Sequence, residues 1–263
     1  MGFVDIPEGI IESDCYFYHS LDFPDGSSVT GNWDLRGRFE DYTGNIDVKN
    51  KVVLDVGTAS GFLAFEAEKR GAQVIALDMP IDGEWDTVPY AREKVVDVEK
   101  QLAEKHPNED VNKRKEGVKR LRNGFFYAHN KFQSSVRLFE TMVYDIPPSL
   151  GFVDVSFVGS ILLHLRDPFL ALHNAAALTR EQIVISDLCP LKFDELTKRK
   201  PYIEFLPDET FSNPFAWWRL SPQALKRMLH VVGFEVEEEY YNNYPLNDRQ
   251  SRVCTLVARR TRV

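Results

Sequence analysis

The 263 residues, 43% hydrophobic and 27% charged, suffice to close one sizeable core and lie near the upper size for a single domain. A formal charge of −8 opposes general nucleic-acid binding, because cations that neutralise phosphates supply most of that affinity. Apolar runs such as 52–56 and 153–158 fall far short of the ~18–20 residues of a membrane span, and the acidic opening MGFVDIPEGIIESD lacks an export-signal pattern, so a cytoplasmic location is expected.

In chain order, residues 1–48 are rich in aromatics, Asp and Gly, with turn signals at Pro24-Asp25-Gly26 and Thr43-Gly44-Asn45. They predict an irregular N-terminal arm. A strand and helix rhythm then begins: an apolar β run over 52–56, a helix over 62–70 stopped by Gly71, and a strand over 73–77. From Met79 to Ser135 the rhythm breaks, with charged helical stretches near 91–105 and 111–122. So long a connection reads as a lid, a binding insertion or an interface. The rhythm resumes with strands over 136–139 and 153–158, a helix over 168–178 and a strand over 182–186. Ser221-Pro222 starts a helix whose stripe of Leu225, Met228, Leu229 and Val232 ends at Gly233. Runs over 235–241 and 252–258, joined by a polar loop with Pro245 and Asn247, predict a closing antiparallel pair.

The expected fold is therefore α/β: a Rossmann-like, seven-stranded, mostly parallel sheet with helices on both faces and a closing antiparallel hairpin. One domain spans 1–263, with the arm at 1–48, the core at 49–80 and 135–263, and a helical insertion at 81–134.

The segment KVVLDVGTASGFLAFEAEKRGAQVIALDMP carries the most chemistry. A buried strand delivers Asp55, Val56 and Gly57 to a tight turn through Thr58 and Ala59. Gly61 then opens a helix, and the next strand ends at Asp78 and Met79. Glycine suits positions where backbone approaches a ligand closely, and an acid ending the second strand can accept both hydroxyls of a ribose. A dinucleotide fingerprint would want glycines at 57, 59 and 62; Ala59 and Phe62 disfavour NAD. Ser60 does not complete a nucleophile elbow, since Gly57 lies three residues before it rather than two.

The order Asp-x-Gly-x-x-x-Gly followed by Asp78 resembles motif I and the next acidic position of class I S-adenosylmethionine-dependent methyltransferases, with Ala59 where that family often has a middle glycine. The stretch FVDVSFVGSILLHLRDPFLAL resembles that family's fourth strand, whose end, here Gly159 and Ser160, looks toward the methionine part of the donor and the acceptor pocket. The runs FYHSLDFPDGSSVTGNWDLR, GSILLHLRDP and NPFAWWRLSPQALKRMLHVVGF resemble the narrower group related to the tRNA uridine carboxymethyltransferase, and the likeness spans most of the chain. That enzyme holds a carboxylated donor partly with a lysine ahead of its arm, whereas residues 1–35 here contain no Lys or Arg. Ordinary S-adenosylmethionine is the expected cofactor. The resemblance places Val143, Tyr144 and Asp145 along the adenine, with Met142 where many members have an acid.

Methyl transfer from a sulfonium needs alignment and water exclusion, with a base only where the acceptor arrives protonated. His19, His129 and His164 are the candidate bases, because histidine titrates near neutrality; His164 serves equally as a wall residue that bonds backbone. Trp217 and Trp218, beside Asn213, would close an apolar lid over a small-molecule acceptor, face a cationic group or pack as ordinary core. Tyr18, Trp33 and Arg36 in the arm likewise read either as acceptor contacts or as packing, Arg36 suiting an acceptor carboxylate or phosphate. Cys15, Cys189 and Cys254 are too dispersed for a disulfide framework or a zinc site, and no metal is expected. Lys113, Arg114, Lys115, Lys119, Arg120 and Arg122 read as a solvated helix face or a patch for an acidic substrate. An RNA-modifying enzyme of the same fold and a non-catalytic or NAD-binding α/β protein remain as alternatives, and the oligomeric state, a homodimer included, is open.

Overall fold

The computed structural model describes residues 2–83, 85–89, 112–189, 200–208 and 215–262. The arm holds β1 (Gly2–Phe3), β2 (Leu21–Asp22), β3 (Ser28–Val29) and a short helix α1 (Phe39–Thr43). Then follow β4 (Val52–Val56), α2 (Phe62–Lys69), β5 (Gln73–Asp78), α3 (Asn112–Phe132), β6 (Arg137–Glu140) and β7 (Val153–Gly159). The remainder is α4 (Pro168–Leu178), β8 (Thr179–Leu188), β9 (Ile203–Phe205), β10 (Trp218–Leu220), α5 (Pro222–Val231), β11 (Phe234–Leu246) and β12 (Arg249–Arg260).

One sheet runs β1-β6-β5-β4-β7-β8-β12-β11. Strands β4 to β8 pair in parallel and read as near-continuous apolar runs, as strands covered on both faces must. Two cores flank the sheet. Phe62, Phe65, Phe125, Phe157 and the arm's Phe17, Trp33 and Phe39 fill one face, and Leu172, Ile185, Leu225 and Leu229 fill the other. Helix α4 starts where Asp167 accepts the Leu170 N–H at 2.9 Å, and α5 where Ser221 accepts the Ala224 N–H at 3.1 Å, each with proline next in the chain. Among the described residues, no helix is long and apolar enough to cross a membrane.

Three expectations are corrected. The sheet has eight strands rather than seven, because Gly2 and Phe3 pair antiparallel with Glu140 and Phe139 at its edge. The polar loop around Pro245 belongs to the closing hairpin, whose register runs from Phe234↔Arg260 to Leu246↔Arg249 and leaves Asn247 and Asp248 as the tip. Proline is tolerated there because β11 is an edge strand, where a missing N–H breaks no ladder; its carbonyl accepts the Asp34 N–H at 3.1 Å, so the arm docks on it. Helix α3 does not stop at Arg122. It runs through Gly124, where an added Cβ would lie 2.5 Å from the Tyr16 carbonyl, so the glycine admits the arm rather than ending the helix. The predicted helix near 91–105 lies outside the described residues.

Candidate functional site

The sheet order reverses between β4 and β7, and ligands of open α/β sheets bind outside the carboxyl ends of strands at such a point. Here β4 leads into a turn with positive φ at Gly57 (74°), Ala59 (51°) and Gly61 (88°). Gly57 needs its missing side chain, since a Cβ would lie 2.4 Å from Ile161 Cδ1. Asp78, at the end of β5, ties the turn to its own strand: its carboxylate accepts the Ala59 N–H and the Met79 N–H, each at 2.8 Å. Asp55 is buried and accepts from the Thr58 hydroxyl at 2.7 Å; burial pushes its pKa up to about 7.

Arg122 departs from the reading of the basic run as a solvated face. It is 2% exposed, with its guanidinium donating to the Met79 carbonyl at 2.7 Å, 3.1 Å from Glu140 and 3.9 Å from Asp78. Arg120 donates to the Cys15 carbonyl at 3.1 Å and Lys119 is exposed. The side chains of Lys113, Arg114 and Lys115 lie outside the described set.

Beyond β6, Val143, Tyr144 and Asp145 form one turn of 3₁₀ helix. Asn174 donates to the Val143 and Tyr144 carbonyls at 3.2 and 2.7 Å, while Asp145 is exposed. The Tyr144 hydroxyl donates to the Asp86 carboxylate, which also accepts the Arg166 N–H at 2.9 Å. The Asp86 carbonyl accepts from the Trp217 indole at 2.6 Å, and the Leu165 carbonyl from the Trp218 indole at 2.8 Å. His164 Nδ1 sits 2.5 Å from the Phe215 carbonyl. A carbonyl only accepts, so Nδ1 carries the proton and Nε2 keeps the lone pair; burial holds the imidazole below its usual pKa. Asn213 lies outside the described residues.

On the β7 side of the switch point, Ser160, at φ 47°, donates its N–H to the Ser186 carbonyl at 2.7 Å, and its hydroxyl lies 3.2 Å from the Tyr42 hydroxyl. Gly159 lets Leu63 and Tyr42 approach, at 3.2 and 3.4 Å from where a Cβ would stand. The His19 N–H donates to Ser60 Oγ at 3.0 Å, which moors the arm to the turn after β4, and burial lowers the imidazole to about 3. Trp33 is buried and donates from its indole to the Tyr18 hydroxyl at 3.2 Å.

Two sequence candidates fall elsewhere. His129 donates from Nε2 to the Val136 carbonyl at 3.0 Å, at the amino end of β6, opposite the switch point. Arg36 is held by Asp34 at 2.6 Å and Asp22 at 2.9 Å on the surface, so it has its own carboxylates. Sequence reasoning missed Tyr42, Asp86 and Asp187, and Arg122 as a buried group. For Asp187 a signal existed, since it ends an apolar parallel strand as Asp78 does.

No family model matches the chain, and no curated protein matches it in sequence. The magnesium protoporphyrin IX methyltransferase of Synechocystis PCC 6803 with bound SAH superposes with a TM-score of 0.51 at 12% identity, over 86% of this chain and 82% of that one. The chain has the Rossmann-like methyltransferase fold. Weaker likenesses are a 1,6-didemethyltoxoflavin-N1-methyltransferase from Burkholderia thailandensis (TM-score 0.48, 16% identity, 86% and 76% covered) and a SAM-dependent methyltransferase from Methanosarcina mazei (0.49, 12%, 84% and 95%).

Proposed function

We propose that this protein is a S-adenosylmethionine-dependent methyltransferase acting on an O or N atom of a small-molecule acceptor. One observation carries the reading: at the switch point, Asp78 is fixed by the Ala59 and Met79 N–H groups at the lip of a turn with three left-handed residues. Those two bonds use one lone pair on each oxygen, and the others can accept the two hydroxyls of a ribose. Bound there, the donor supplies an electrophilic methyl on a sulfonium.

The remaining residues have definite tasks. Asp55, Gly57, Thr58, Ala59 and Gly61 shape the turn, Met79 and Val143 to Asp145 flank the adenine, and Gly159 and Ser160 face the methionine end. His164, with Nε2 unprotonated, is the better candidate to receive an acceptor proton, whereas burial, which lowers His19 to about 3, makes that imidazole a poor base at neutral pH. Tyr18, Trp33, Trp217 and Trp218 exclude water from the acceptor, which is where alignment gains its effect. The arm packed on the donor turn and on the hairpin tip, with 81–134 as the insertion, supports kinship with the group related to the tRNA uridine carboxymethyltransferase. The burial of Arg122 weakens an RNA-binding role for its helix.

The test is titration calorimetry with S-adenosylmethionine and S-adenosylhomocysteine, followed by a metabolite screen for a mass gain of one methylene. Micromolar or tighter donor binding and such a product are expected. A protein that binds neither compound, or that binds NAD instead, refutes the reading.

A further inference from the structure

Asp187 lies next to the methionine end of the donor site. Strand pairing sets Gly159 opposite Ser186, Ser160 is bonded to the Ser186 carbonyl, and Asp187 is the following residue. Its side chain is buried, with the residue 4% exposed. Oδ1 accepts the Leu188 N–H at 2.7 Å, while Oδ2 has no hydrogen-bond partner. The other acids near the carboxyl ends of the parallel strands differ, Glu140 on β6 standing 3.1 Å from Arg122. Asp55 is bonded by Thr58, and Asp78 by two backbone N–H groups with Arg122 beside it.

A buried carboxylate oxygen left without a donor is costly, so a protein that keeps one has a use for it. No Lys or Arg among the described residues offsets the burial of Asp187, which raises its pKa to about 7 against the single Leu188 bond. Burial raises the proton affinity of both Tyr18 and Tyr42, and the charge of Asp187 adds to it. The Tyr18 hydroxyl is occupied by the Trp33 indole and the Tyr42 hydroxyl by Ser160. What stands out is therefore one buried acid with no cation beside it among the described residues. An anionic guest would meet like charge. A neutral alcohol would donate a hydrogen bond yet leave the charge buried. An ammonium satisfies both.

We propose that Asp187 is the recognition group of the acceptor pocket and that the acceptor is an amine, bound as its ammonium with an N–H donating to Oδ2. This rests on the methyltransferase reading and narrows its O-or-N acceptor to nitrogen.

The test uses the full chain saturated with S-adenosylhomocysteine and probes in matched sets: amine, alcohol and carboxylate on benzyl, phenethyl and butyl frames. Binding is read by thermal shift and calorimetry, for wild type and Asp187→Asn. Amines are expected to raise the melting temperature above their matched alcohols and carboxylates, and Asp187→Asn to weaken amine binding by ~30-fold or more. Parity among the three classes, no response to any of them, preference for carboxylates, or an amine preference that survives in Asp187→Asn overturns the proposal. Should Asp187→Asn fail to fold, the class preference of the wild type decides alone. Donor binding separates the two claims: its absence sinks the methyltransferase reading, whereas normal donor binding without amine preference sinks only the assignment of Asp187.

Discussion

Replacing Asp78 with alanine removes a carboxylate that fastens the turn and that, in the proposed function, also binds the ribose. It accepts the Ala59 and Met79 N–H groups at 2.8 Å each, and it stands where two ribose hydroxyls would arrive. Hydrogen bonds to a charged group contribute about 1.5–3 kcal/mol each. Losing the ribose pair should therefore cost about 3–6 kcal/mol, a rise in donor Kd of ~10²- to 10⁴-fold. Asp78→Asn, which keeps one accepting oxygen, should fall between wild type and alanine. Calorimetry with S-adenosylhomocysteine measures both, and urea melts report how far the freed Ala59 and Met79 N–H groups loosen the turn. A Kd for Asp78→Ala within ~3-fold of wild type, on a chain that still melts cooperatively, would refute the placement of the donor, because a single charged contact already exceeds that.

Ala59 holds φ 51°, a left-handed conformation that costs an L-residue roughly 1 kcal/mol or more. Ala59→Gly should therefore stabilise the chain by about 0.5–1 kcal/mol, read as a higher urea midpoint; a lower one contradicts the strain argument. His19 is held neutral by burial, with a folded pKa of about 3 against 6.5 unfolded. Its contribution is complete above pH 6.5 and is lost as pH falls toward 3. His19→Phe should flatten that part of the pH–stability curve, and an unchanged slope speaks against the buried imidazole. Asp187 runs the other way: its pKa rises from 3.8 to about 7, so its favourable contribution is present below 3.8 and lost as pH rises through 7. Asp187→Asn should gain stability relative to wild type between pH 5 and 8, up to about 4 kcal/mol at pH 8; a difference independent of pH counts against the uncompensated charge.

The donor half of the site is legible in sequence because its geometry is local. Asp55 to Thr58 and Ala59 to Asp78 close within one strand, turn, helix and strand, and the glycines announce the turn. The helix starts at Asp167-Pro168 and Ser221-Pro222 are legible for the same reason. What was missed depends on distant partners. Nothing in the basic run distinguishes Arg122 from its neighbours; Met79, Asp78 and Glu140 do, and they come from β5 and β6. Gly124 and Pro245 look like breakers until the arm lies against one and the sheet ends at the other. Asp187 repeats the pattern of Asp78, yet its unpartnered oxygen becomes visible only once β8 stands between β7 and β12.

The two halves therefore differ in how they are held, and this bears on selectivity. In the proposed function the acceptor side draws on the arm, the ends of β7 and β8, and the loop of Trp217, across long stretches of chain. Tyr42 is its pivot: its carbonyl accepts from Ser186 at 2.5 Å and Thr255 at 3.2 Å, and its hydroxyl reaches Ser160 at 3.2 Å. These bonds fasten α1 to β8, β12 and the residue just after β7 without touching Ala59 or Asp78. Substitutions around Tyr42 and Asp187 can thus reshape the acceptor pocket while the donor turn keeps its own bonds. Ser60 is the exception, since its hydroxyl holds the His19 N–H to that turn. The donor turn and the arm are coupled at that point, so a change at Ser60 should disturb donor and acceptor binding together.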